Sequence, residues 1–79
     1  MIGKTAIALW IVVQSAYPPP GNNIFIGKYP SCKNAQEIVD KWMETHHRPE
    51  GYGGWVCIKW HEHLRIMKMV KLLDGVKDD

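Results

Sequence analysis

A chain of 79 residues with 46% apolar side chains, four tryptophans and a formal charge of +2 makes one domain, and a domain this small buries only about 60% of the surface its unfolded chain exposes. That size excludes a large enclosed active site, and the apolar content excludes global disorder. A charge this slight gives none of the clustered basic face that phosphate binding uses, so it implies no particular partner.

The first stretch, MIGKTAIALWIVVQSAYPPP, holds Lys4, an apolar run from Ala6 to Val13, and the small residues Ser15 and Ala16. Two readings stay open. One basic residue, an apolar run and small residues resemble an export signal cleaved after Ala16. Alternatively, β-branched Ile7, Ile11, Val12 and Val13 with bulky Leu9 and Trp10 predict a strand over 5–13. Unbroken apolarity places such a strand centrally, covered on both faces. The run is too short for a transmembrane segment, which takes about 20 apolar residues.

In AYPPPGNN the prolines fix an extended path, and Gly21, Asn22 and Asn23 supply turn geometry. NIFIGKYP then predicts a second strand over 24–29, paired with the first, with Ile24 and Ile26 on one face and Phe25 on the other. Ser31 is a candidate N-cap for a helix over 31–46. Cys32, Ala35, Ile38, Val39, Trp42 and Met43 recur at spacings of three and four, and Lys33, Asn34, Glu37, Asp40, Lys41 and Glu44 fill the opposite side. Trp42 reads as a core anchor. Pro49 and the glycines of GYGG end the helix, and GYGG reads as a flexible turn.

WVCIKW predicts a third strand over 55–60, with Trp55, Cys57 and Lys59 on one face and Val56, Ile58 and Trp60 on the other. A helix packed on the Cys57 face would put Cys32, on its buried stripe, on the same interior side. The pair is then either a disulfide closing a loop of about 26 residues, worth about 3.5 kcal/mol in the chain-entropy model, or two buried free thiols. Its spacing matches neither a CxxC redox motif nor half of a zinc knuckle.

An apolar first strand, a short strand ending in G-x-Y-P-S, a helix starting beside a cysteine and a last strand with a second cysteine resemble the small uncharacterised open reading frames of tailed bacteriophages and some bacteria. Phe25, Gly27, Tyr29, Ser31, Cys32, Ala35 and Cys57 carry the resemblance, over roughly the central half of the chain. It implies a small viral accessory or virion protein located in the host cytoplasm or the virion, and brings no catalytic residues with it.

The last run predicts a helix over 62–74, with Ile66, Met69, Val70, Leu73 and Val76 facing the core and Lys68 and Lys71 opposite. Leu64 and Met67 fall nearer the polar side, so either the helix is covered more fully than an ordinary surface helix or part of it meets another chain, and Met67 and Met69 suit an adaptable contact surface. The tail DGVKDD reads as frayed. His46 and His47 end the first helix and His61 and His63 form HEH; exposed histidines near helix ends are the plain reading.

No serine sits in a nucleophile elbow, no glycine-rich loop takes phosphate-binding form, and both cysteines read as buried, so no enzyme and no cofactor are expected. The fold class is α+β, a ββαβα domain with a three-stranded sheet and two amphipathic helices. The expected function is a non-enzymatic protein-interaction module that binds itself or a protein partner through Trp55, Ile58, Trp60, Leu64, Arg65, Met67, Lys68 and Lys71. One alternative is a small metal-binding protein using His46, His47, His61 and His63. A second is a weak nucleic-acid binder using Arg65, Lys68 and Lys71 with Trp60.

Overall fold

The computed structural model of the chain describes residues 6–77, with side chains through Leu72. Lys4 of the export reading, Thr5 of the predicted first strand, the side chains of Leu73 and Val76, and Asp78 and Asp79 of the tail lie outside the described residues.

The elements in chain order are β1 (Ile7–Val13), β2 (Ile24–Tyr29), α1 (Ala35–Thr45), β3 (Tyr52–Lys59) and α2 (Trp60–Lys77). The three strands form one antiparallel sheet in the order β2-β1-β3, so the class is α+β and the apolar run is the central strand. Alternation along β1 serves two faces at once. Ile7, Leu9 and Ile11 point to the side covered by Ala35 and Val39 of α1, while Ala8 and Trp10 point to the other, and all five β1 residues are buried. Complete burial of a side chain such as Leu9 or Ile11 contributes about 1.5–3 kcal/mol. Ile24, Ile26, Tyr29, Trp55 and Cys57 pack half-buried around the α1 side.

Residues 14–23 join β1 to β2, and Asn23 closes this connection. Its Oδ1 accepts from the Val13 N–H at 3.1 Å, and its Nδ2 donates to the Ala16 carbonyl at 3.1 Å. In β2, Leu9 pairs with Gly27 and Trp10 with Phe25, which leaves Ile26 as the extra residue of a bulge.

Helix α1 starts later than the pattern predicts. The Ser31 hydroxyl accepts from the Lys33 N–H at 3.3 Å, so it closes a local turn instead of capping the helix. Asn34 is the N-cap residue, without a side-chain cap bond. Cys32 therefore sits in the turn before α1 and is exposed, not on the helix's buried stripe. It still reaches β3: Cys32 and Cys57 form a disulfide with their Cα atoms 6.2 Å apart and a sequence separation of 25. Of the two readings of this pair, the bridge holds.

Strand β3 also exceeds its predicted span, because Tyr52, Gly53 and Gly54 belong to it and not to a flexible turn. The glycines disguise the strand. Val12 pairs with Gly54 and Val13 with Tyr52, leaving Gly53 as a second bulge, and Gly54 has φ +119°. Gly51, at φ +81°, brings its carbonyl to the Gln14 N–H, and a Cβ there would meet the Gln14 side chain.

Helix α2 follows β3 with no loop. The Trp60 N–H donates to the Ala6 carbonyl at 2.8 Å, so Trp60 extends the strand pairing while already belonging to the helix. The helix runs on through Lys77, which absorbs Asp74 to Lys77 of the predicted frayed tail. Its expected core face is only partly covered: Ile66 and Val70 are half-buried, but Met69 is 58% exposed. Apolar side chains occupy every side of α2, so no single stripe can match the sheet. Among the described residues no helix is long and apolar enough to cross a membrane.

Candidate functional site

The sheet face opposite α1 is closed by aromatic side chains from three elements. Strand alternation brings Trp10 of β1 and Phe25 of β2 onto this face, their rings 5.2 Å apart. The abrupt start of α2 adds Trp60 and, three residues on along the same helix face, His63. The imidazole stacks on Phe25 with ring centroids 5.1 Å apart and on Trp60 at 4.6 Å. Lys28, the β2 residue opposite Ala8, places its Nζ 4.6 Å from the Trp60 ring.

His63 is 8% exposed, the buried polar residue of the described chain. The Trp10 Nε1–H donates to its Nδ1 at 3.3 Å. An indole nitrogen only donates, so Nδ1 must carry a lone pair and the ring's proton must sit on Nε2. Burial pushes the His63 pKa below its ordinary 6.5. A proton on Nδ1 would oppose two N–H groups and leave the Trp10 donor buried without a partner, a cost of about 1–3 kcal/mol. Cation–π attraction to the stacked rings, about 0.5–2 kcal/mol, offsets part of this. The desolvation penalty adds to the lost bond, so the neutral ring is favoured.

The plain reading of exposed histidines holds for His46, His47 and His61 and fails for His63. Nothing local marks the difference, since its partners Trp10 and Phe25 come from the other end of the chain. A Trp and a Phe on the same outward face of two paired strands were the available signal that something must cover them. His46 serves the end of α1: its ring stacks on Trp42 at 4.0 Å and its Nδ1 donates to the Trp42 carbonyl at 2.8 Å. His61 lies 4.0 Å from Glu62, which also lies 3.8 Å from Arg65. Among the described residues no three potential metal ligands come together.

The residues expected to make contacts separate into three sets. Trp55 packs against the α1-side core, with its neighbour Cys57 tied to Cys32. Ile58 and Trp60 are half-buried on or beside the opposite face. Leu64, Arg65, Met67, Lys68 and Lys71 are exposed on α2, where Met69 and Leu72 join them. The exposures of Leu64, Met67, Met69 and Leu72 are 50%, 37%, 58% and 63%. Met69, expected on the core face and also suited to a contact surface, is open to solvent, and Leu72 joins it without a signal in the spacing. Elsewhere, Ile26 and Tyr29 of β2 and Ile38, Lys41 and Trp42 of α1 line an open groove of about 360 Å³.

Comparison of the chain with protein-family models, curated proteins and solved structures finds no match.

Proposed function

We propose that the protein is a small non-enzymatic interaction module whose contact element is α2, with Trp60 and Phe25 at its root. The observation that carries this reading is the exposure of Leu64, Met67, Met69 and Leu72 on one helix. Large apolar side chains left exposed together on one helix suit an interaction surface, and methionines adapt to the surface they meet. Arg65, Lys68 and Lys71 alternate with these side chains around the helix, and Glu62 already faces Arg65 and His61. The best fit is therefore a protein partner whose surface offers apolar contacts interspersed with acidic groups. The like charge of a second copy's Arg65, Lys68 and Lys71 disfavours close helix-on-helix self-pairing.

Affinity capture from an extract of the source cells tests this with the wild-type chain beside a Leu64→Glu, Met69→Glu, Leu72→Glu variant. Circular dichroism first checks that the variant folds, as three exposed positions allow. A protein retained by the wild type and lost by the variant supports the reading. Retention by both removes α2 as the contact element. Sedimentation of the purified chain separates the two kinds of partner, since self-association abolished by the same variant would replace a foreign partner with a second copy.

A further inference from the structure

His63 is buried in an aromatic cluster where the first turn of α2 meets the sheet. We propose that His63 is a proton-operated latch: its neutral ring pins the first turn of α2 to Trp10 and Phe25, and protonation releases that turn while the core between β1 and α1 stays folded. The importance of the latch for binding rests on α2 being the contact element. The latch itself needs no partner.

The groups around the ring set the direction. Nδ1 is committed as acceptor to the donor-only indole of Trp10. β1, with the sequence IALWIVV, contributes no ionisable side chain. β2 contributes Lys28, whose ammonium lies over the Trp60 ring on which His63 stacks, and this is a positive neighbour. From β3, Cys57 is bridged and Lys59 is exposed and positive. On α2 itself, Glu62 is directed to Arg65 and His61, and among the described residues no carboxylate hydrogen-bonds the His63 ring. Both lysines oppose a second positive charge, and among the described residues no acid pairs with the ring to compensate it.

The linkage follows. In the released turn the imidazole returns to its ordinary pKa of about 6.5, and in the docked turn it lies lower. The docked form is fully favoured above about pH 6.5, and loses ground as pH falls from there to the lower docked value. A single proton changes the docking equilibrium by up to about tenfold per pH unit in that window. The core on the other face has different anchors. Leu9 and Ile11 are fully buried under Ala35 and Val39, and Cys32–Cys57 joins the start of α1 to β3.

Nuclear magnetic resonance of the intact, oxidised chain tests this between about pH 8 and pH 4, around the ordinary imidazole pKa. The nitrogen shifts of His63 should report an Nε2–H neutral tautomer and a midpoint below the ordinary imidazole value. The Trp10 indole N–H should lose its exchange protection with the His63 midpoint, while the Leu9 and Ile11 amides stay protected. Indole protection that ignores His63 protonation overturns the proposal. So does simultaneous opening of Leu9 and Ile11, which would make the event global unfolding. His63→Phe keeps a flat ring without a titrating group and should erase the acid step, whereas His61→Gln should keep it; the reverse pattern refutes the latch. If His63→Phe does not fold, the wild-type titration decides alone. Failure of partner capture leaves this result untouched, because no partner enters the experiment.

Discussion

Asn23 holds two ends of the β1–β2 connection with one amide. Its oxygen takes the Val13 N–H and its nitrogen reaches the Ala16 carbonyl, so Asn23→Ala removes two bonds and leaves their partners to water. At about 0.5–1.5 kcal/mol for each net bond, the variant should lose about 1–3 kcal/mol. Thermal unfolding followed by circular dichroism should show a midpoint lower by about 4–8 °C for each kcal/mol. An unchanged midpoint would mean that the proline-rich segment holds itself. At this scale much was legible in the sequence. The alternation that sets Trp55 and Cys57 against Val56 and Ile58 needs only the period of a strand. The burial of His63 was not legible, because it depends on a partner 53 residues away and on a turn that no periodicity encodes.

Among the elements, α1 and β3 are joined by more than packing. The Cys32–Cys57 bridge spans 25 positions, and in the chain-entropy model a closed loop of that size contributes about 3.5 kcal/mol. Reduction should therefore lower the urea midpoint and, because the unfolded chain expands, steepen the transition. A shift of less than about 1 kcal/mol, against the 2–5 typical of native bridges in small domains, would show that the reduced unfolded chain already holds these segments together. The predicted boundaries failed at the same two elements. Ser31 looks like a helix cap, yet its hydroxyl satisfies a turn two residues on. GYGG looks like a turn, yet bulged strands use glycine where φ is positive. In both cases one residue type serves two local structures, and only distant pairing decides which. In α2 the apolar residues lie on all sides, so spacing alone does not tell the half-buried Ile66 and Val70 from the open Met69.

The whole molecule is thin, with principal extents of 42 × 40 × 18 Å, and its stability rests on one strand. Domains of this length have about 4–12 kcal/mol of unfolding free energy in all. Leu9 is fully buried between α1 and the strand neighbours, and Leu9→Ala in such a site costs about 2–5 kcal/mol. The oxidised variant should fold with a depressed melting temperature. The same variant under reduction should be largely unfolded at room temperature, as near-ultraviolet circular dichroism of the tryptophans would show. A reduced, folded Leu9→Ala chain would mean that the face carrying Trp10 and His63 supplies more of the stability than the face carrying Leu9.

The sheet order β2-β1-β3 also fixes a timetable. β1 leaves the ribosome first and meets β2 soon after, but its other edge waits for β3, whose last partner to it is the Trp60 amide bound to Ala6. Until that point the most apolar segment of the nascent chain carries an open row of hydrogen-bonding groups, the kind of edge that recruits other chains. Pausing of synthesis between residues 30 and 60 should therefore be the moment of greatest aggregation, and of greatest need for a chaperone.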